Sequence, residues 1–537
     1  MKKKWWKEAV VYQIYPMSFM DTTGNGIGDL NGVTQKLDYL NELGIDIIWL
    51  CPMFKSPNRD NGYDISGYQE IMEEMGTMED FDRLLEEVHA RGMKLIIDLV
   101  INHTSNQHPW FLESRSSRDN PKRDWYVWRD QKTNWESIFG GPSWTYDPKT
   151  EQYYFHLFSK YQVDLNWENP EVRQEIYKMV NWWLDKGIDG FRVDAINHLK
   201  KDFTDMPNPE GLPVVPAWEK MTNVEGIQDF LEELRTETFD KYDIMTVGEA
   251  NSLKSHEMEE WISEAEGKFN MIFHLEAHHT WEPEDEGMDV EDVKEVLDRW
   301  QRSAHGIAWN SLYLENHDRP RTVSIWGDEK QYWRQSATAL ASMYFFMQGT
   351  PFIYQGQEIG MTNAPFDDIK QYRDVETVNL YRYGRVKGIS HEELMKGIKK
   401  TSRDHARTPM QWSSKPHGGF TEGEPWLGTN PNYSWLNVEA QEQDPTSVLN
   451  FFKSMIALRK KHETLLYGET ELANLDCPGV YAYTRKLGRE KFLIVSNLNA
   501  DPCRFQFQSD GELVLQNYND HLEGKLQPFE ARVYRFE

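Results

Sequence analysis

The chain has 537 residues, 13% of them aromatic, with 21 Trp and 25 Tyr, and a net charge of −28. That length exceeds one ordinary core and suits a large barrel with additions; the acidity disfavours nucleic acid and anionic lipid as partners, and the ring content excludes disorder. Three cysteines, Cys51, Cys477 and Cys503, fit no zinc spacing and give no even disulfide framework, which points to a reducing cytoplasm.

The N-terminus MKKKWWKEAV is basic but runs directly into a strand-like VVYQIYP without an apolar signal core, and no stretch of about 18 apolar residues follows. An unexported protein with no membrane partner is expected, as a monomer or weak homo-oligomer. Short β-branched apolar runs then recur at 10–14, 45–50, 95–100, 190–193, 244–247, 271–273, 311–314 and 351–354, with helical periodicity between them. Eight such βα units predict a closed (β/α)₈ TIM barrel. Thr77 and Asp80 form a capping box for a helix carrying Phe81, Leu84, Leu85 and Val88. Val172, Ile176, Met179, Val180, Trp183 and Leu184 fall at helical spacing, with Gly187 placed to end the helix.

Roughly ninety residues separate the third and fourth runs, far more than a crossover helix needs, and predict an inserted subdomain. A second long polar stretch, 355–433, predicts a loop elaboration after the eighth strand. Beyond about residue 467 short alternating segments such as GVYAYTRKL and EKFLIVSNL predict a separate antiparallel β-sandwich. The expected organisation is barrel at 1–103, insert at 104–170, barrel at 171–466 and C-terminal β domain at 467–537.

Acidic residues close the runs: Asp98 the third, Asp194 the fourth, Glu249 the fifth, Glu315 and Asp318 the seventh. In a parallel barrel these ends converge on one mouth, where active sites form. Two carboxyl groups flanking a bond, one ionised and one protonated, are what glycoside cleavage requires, about 5–5.5 Å apart if configuration is retained.

The strings DLVINHTS at 98–105, GFRVDAIN at 190–197, TVGEAN at 246–251 and LENHD at 314–318 resemble the four ordered motifs of the α-amylase superfamily, glycoside hydrolase family 13. QVDLNWENP at 162–170, NGYDI at 61–65 and RTPMQW at 407–412 resemble signatures of its oligo-1,6-glucosidase and α-glucosidase branch. The resemblance spans nearly the whole chain and implies a retaining, exo-acting α-glucosidase on small α-glucosides. It implies Asp194 as nucleophile, Glu249 as acid/base and Asp318 as the third carboxylate. Arg192 would keep Asp194 ionised, and Glu249 would have a raised pKa. His103, Gln162, Arg192 and His317 would contact the sugar, with Tyr63 stacking on its terminal ring and Asp60 and Arg403 gripping its far hydroxyls. Arg407 is the alternative to Arg403.

Ala195, directly after the nucleophile, resembles α-1,4-preferring relatives, whereas α-1,6 enzymes tend to carry Val there. The expectation is therefore cleavage of maltose and short malto-oligosaccharides, with isomaltase-type cleavage or trehalose-6-phosphate hydrolysis as alternatives. DTTGNGIGD at 21–29 resembles the family's calcium loop, with Asp21, Thr23, Asn25, Ile27 and Asp29 as oxygen donors to a structural Ca²⁺ or Mg²⁺. No cofactor is needed for the chemistry. The pair His278–His279 is expected to face solvent.

Overall fold

The computed structural model describes residues 2–274, 276, 288–473, 477–505 and 511–537. Its centre is a ring of eight parallel strands: β1 (Val11–Ile14), β2 (Ile47–Leu50), β3 (Lys94–Val100), β4 (Gly190–Asp194), β5 (Met245–Glu249), β6 (Met271–Phe273), β7 (Ser311–Leu312) and β8 (Thr350–Tyr354). Neighbours in sequence pair throughout except β6 with β7, and β8 closes on β1 through Val11 opposite Phe352. The seam between β6 and β7 is held by the Ser311 hydroxyl, which donates to the Ile272 carbonyl at 2.6 Å. These strands are buried on both faces, which is why their sequences read as continuous apolar runs rather than alternating ones.

The helices form where the apolar period is 3.6. Thr77 accepts from the Asp80 amide and Asp80 answers the Thr77 amide, opening the helix Met78–Ala90. The helix Pro170–Asp185 buries Val172, Ile176, Met179, Val180, Trp183 and Leu184 against the barrel. Gly187, at φ +103°, turns the chain out of that helix toward β4, a conformation strained for any residue with a Cβ.

Between β3 and β4 the strand His103–Ser105 pairs antiparallel with Gln162–Asp164. A three-stranded sheet, with Gln152–Phe155 between Trp128–Arg129 and Trp144–Asp147, lies between these two segments in sequence. Its small core of Trp135, Trp144, Phe155 and Leu157 also takes in Ala217 and Met221 from the loop after β4. The insert is thereby fastened to that loop. After β8, helices Val375–Val386 and His391–Thr401 fold over Phe366, Tyr372, Met395 and Ile398 as a separate cluster.

The C-terminal part is a five-stranded antiparallel sheet in which Val480–Leu487 and Glu490–Asn497 form the central hairpin. Here the cysteine expectation is corrected. Cys477 and Cys503 are joined as a disulfide, with Cα atoms 6.5 Å apart, because the ribbon carrying Cys503 folds back beside the turn that starts this hairpin. Cys51 is the free, buried thiol. Pairing is a spatial property that the spacing along the chain did not show, so cysteine usage carries no argument for a reducing compartment. Among the described residues no helix is long and apolar enough to cross a membrane; the pair His278–His279 lies outside those residues.

Candidate active site

Successive strand residues alternate faces, so Arg192 and Asp194 on β4 point the same way, into the barrel mouth. Nη1 of Arg192 donates to Asp98 at 2.5 Å and to Asp194 at 2.6 Å, and its Nη2 lies 2.7 Å from Glu249. One guanidinium thus gathers carboxylates from β3, β4 and β5. Glu249 also accepts the Ala195 amide at 3.1 Å. Asp98 is fully buried and takes the Trp49 indole N–H at 2.8 Å and the Tyr63 hydroxyl at 3.3 Å, which makes it a support beneath the site.

The electrostatics depart from the expectation for Asp194. Burial, then the charges of Glu249 and Asp98, push its carboxyl well above the usual range, and Arg192 only partly offsets them. Burial is the main cause, and the one cation cannot offset it because it is divided among three acids. Asp98 is also raised, by burial against the pull of Arg192 and His317.

Asp318, from the loop after β7, sits in the opposite field. Burial opposes its charge, but His317 at 3.0 Å, Arg403 at 3.0 Å and Arg407 at 2.7 Å outweigh burial and hold it well below the carboxylate range. Both candidate arginines therefore reach the same acid. Arg403 in addition joins Asp374 at 2.5 Å, Glu376 at 3.2 Å and Asp60 at 3.4 Å, whereas Arg407 is buried behind Asp318 and donates to the His317 carbonyl. Asp374 is brought down to about 2: burial opposes this, and Arg403 and Arg407 overcome it.

A cavity of about 630 Å³ is lined by Asp60, Tyr63, His103, Gln162, Asp194, Glu249, Asp318 and Arg403. Gln162 donates to Asp60 at 2.8 Å and lies 3.2 Å from His103, which burial keeps neutral. The antiparallel pairing of 103–105 with 162–164 sets this contact. Two of the expected sugar-binding residues lie deeper than the others. Arg192 and His317 are buried beneath the carboxylates and are not in the cavity lining; Nη1 and Nη2 of Arg192 are taken by the three acids. His317 meets Gln13 at 2.8 Å through Nδ1 and shares Nε2 between Tyr63 at 2.7 Å and Asp318. Its ring also lies parallel to Tyr63, centroids 5.2 Å apart.

Glu315 is not part of the cavity either; it is buried against Arg321 at 3.0 Å and caps the turn at Thr322. The cavity lining also includes Phe139, Trp218, Asn251, Ser252, Arg319 and Glu376, which sequence reasoning missed. Asn251 closes the TVGEAN string without having been singled out there, and the others lie outside any motif, Trp218 on a short helix and Glu376 in the first turn of the helix Val375–Val386.

The loop 21–29 closes largely on its own donors. Asp21 accepts from the amides of Thr23, Gly24 and Gly26 and from the hydroxyls of Thr23 and Thr421. Asp29 accepts from Thr22 and caps the helix that follows, and the Asn25 side-chain oxygen accepts from the Ile27 amide. Both carboxylates of the loop are thus engaged by protein donors. Lys201, its side chain 3% exposed, lies 2.6 Å from Asp164 and donates to Asn102 at 2.8 Å, tying the loop after β4 to the strand Gln162–Asp164 and to the residue that precedes His103–Ser105.

Comparison with known proteins decides the family. The profile of the α-amylase catalytic domain matches residues 13–468. The chain is an α-amylase family glycoside hydrolase. It is 54% identical to a probable oligo-1,6-glucosidase 3 of Bacillus subtilis strain 168, over 99% of this chain and all of that one. It is 47% identical to an oligo-1,6-glucosidase of Parageobacillus thermoglucosidasius, over all of this chain and 99% of the relative. Among solved structures, a trehalose-6-phosphate hydrolase of Bacillus licheniformis superposes with a TM-score of 0.93 at 42% identity, covering 99% of this hydrolase and all of that chain. The expected assignment to this family and to its glucosidase branch therefore holds.

Proposed function

We propose that this glycoside hydrolase is a retaining, exo-acting α-glucosidase of short α-1,6-linked glucosides. The observation that carries the reading is the gathering of Asp194 and Glu249 on one guanidinium at the cavity wall, with Asp318 opposite. Asp194 attacks the anomeric carbon while Glu249 gives its proton to the departing oxygen; water then cleaves the glucosyl ester as Glu249 takes the proton back. Asp318, held ionised by its cations, stabilises the positive charge that develops on the ring. The Asp60–Arg403 contact closes one end of the cavity, which favours a terminal glucose over an internal chain segment.

For linkage, the full-length relatives named oligo-1,6-glucosidase favour α-1,6 bonds over the α-1,4 preference read from Ala195. The second reading, α-1,4 cleavage, retains the small Ala195 in the cavity wall as its support. Trehalose 6-phosphate is disfavoured by charge: the described lining carries the acids Asp60, Asp194, Glu249, Asp318 and Glu376 against Arg319 and Arg403. The loop 21–29 acts as a structural brace, and an ion bound there takes no part in the chemistry. The deciding measurement is kcat/KM for isomaltose, maltose and trehalose 6-phosphate with one preparation, with the anomer released followed by NMR. Isomaltose is expected to be the best substrate, releasing α-glucose; a maltose preference selects the second reading, and release of β-glucose refutes the double displacement.

A further inference from the structure

Trp218 is an exposed ring in a cavity whose other aromatic residues are largely covered. It is 49% exposed, whereas Tyr63 and Phe139, in the same lining, are 6% and 7% exposed. An indole left open to water forfeits the burial that normally pays for ordering it, unless a ligand face covers it.

The backbone that carries the indole is also anchored. It opens the short helix Trp218–Met221, whose neighbours Ala217 and Met221 are buried in the core of the insert. The Trp218 carbonyl accepts the Thr222 amide at 3.0 Å and its hydroxyl at 2.7 Å, and the His198 ring lies 6.2 Å away. His198 in turn is fixed 2.7 Å from the Met221 carbonyl. An anchored backbone reduces the ordering cost of binding to that of the side chain itself.

Its position follows from the loop contacts. Asn197 and Asn223, in the loop after β4, both donate to the hydroxyl of Ser252, three residues beyond Glu249, at 3.0 and 3.4 Å. The Asn223 amide also donates to the Asn197 carbonyl at 2.9 Å. The loops after β4 and β5 are thus joined, and Trp218 shares a wall with Asn251 and Ser252, on the side of the acid that protonates the leaving oxygen. Asp60, Gln162 and Arg403, joined to one another at 2.8 and 3.4 Å, come instead from the loops after β2, β3 and β8.

We infer that Trp218 is the stacking platform for the leaving sugar, a specificity-determining residue for neutral pyranose aglycones. The inference rests on the glucosidase reading above, and the test separates the two. Wild type, Trp218→Ala and Trp218→Tyr are compared on isomaltose and on α-glucosyl fluoride, whose leaving group has no ring, with melting temperature as a check on folding. Turnover of neither substrate by wild type refutes the glucosidase reading itself. Given wild-type turnover, Trp218→Ala is expected to lose at least tenfold more kcat/KM on isomaltose than on the fluoride, largely through KM, and Trp218→Tyr to recover most of the difference. Equal losses on the two substrates, including no loss on either, overturn the inference. Should the alanine variant fail to fold, the tyrosine variant and Trp218→Leu carry the comparison, since leucine keeps apolar volume without a flat face.

Discussion

Arg192 and Glu249 meet at 2.7 Å across β4 and β5, by the guanidinium nitrogen that Asp194 does not use. The cation therefore orients both carboxyl groups of the proposed double displacement but neutralises only one of the three acids around it. Burial, with the charge left over on Glu249 and Asp98, is the origin of the unusual state of Asp194, and two predictions rest on it.

Asp194→Asn is expected to abolish hydrolysis, by at least about 10³-fold in kcat, because the amide cannot form the glucosyl ester. It is also expected to raise the melting temperature near pH 7. Burial, with Glu249 and Asp98, raises the folded-state pKa of Asp194 above its unfolded value. The stability this contributes is fully present below the ordinary aspartate value of about 4 and is lost as pH rises through the folded pKa. At neutral pH the charge is thus a cost that asparagine removes, and the gain should vanish on acidification. Thermal melts of both proteins between pH 4 and 7 measure it; a variant less stable than wild type at pH 7 contradicts the assignment.

Asp98→Asn tests the same field from outside the cavity. Removing this buried charge takes away repulsion and leaves Arg192 to Asp194 and Glu249, and both effects lower the Asp194 pKa. The acidic limb of the kcat/KM profile is expected to move to lower pH by about one unit. An unmoved limb, with kcat merely reduced, assigns Asp98 to folding alone.

Arg403→Lys examines the other pole. Arg403 reaches Asp60, Asp318, Asp374 and Glu376 at once, which a guanidinium fork can do and an ammonium cannot. The lysine variant keeps the charge, so Asp318 stays ionised through His317 and Arg407, but the far wall of the cavity loosens. A rise in KM of roughly tenfold or more, corresponding to about 1.4 kcal/mol or more, is expected with a smaller change in kcat. A fall confined to kcat points instead to a direct role in the transition state.

The cysteines give a chemical count. Thiol titration of the denatured, unreduced protein is expected to find one free thiol, Cys51, and three after reduction. Reduction is also expected to lower the melting temperature, since closing a 26-residue separation restricts the unfolded chain by about 3.5 kcal/mol. Three thiols before reduction would show the cysteines unpaired.

The barrel was legible because its strands, buried on both faces, leave continuous apolar runs, and the acids stood at their ends where a parallel barrel must present a mouth. Asp60, Gln162 and Arg403, far apart in sequence, could be named only through the resemblance, yet they line one cavity. What stayed hidden was relational. That Arg192 serves three carboxylates depends on register, Arg192 lying opposite Asp98 and Val247 across the sheet. That Cys477 meets Cys503 depends on how a ribbon folds back, and that Trp218 faces the cavity depends on a loop without periodicity.

Ala195 is where residue identity and relatives disagree, and its backbone makes the disagreement testable. It lies at φ +46°, ψ 37°, in the left-handed region, directly after Asp194. A β-branched residue there costs roughly 1–2 kcal/mol, so Ala195→Val should lower the melting temperature modestly. In the cavity wall the added methyl groups narrow the space beside the nucleophile, and steric discrimination of this size is worth about 1–3 kcal/mol. The variant is expected to lose more kcat/KM on maltose than on isomaltose, raising the isomaltose-to-maltose ratio tenfold or more. If the ratio stays constant while both activities fall together, residue 195 does not set linkage, and the preference must be traced to the wall that carries Trp218, Asn251 and Ser252.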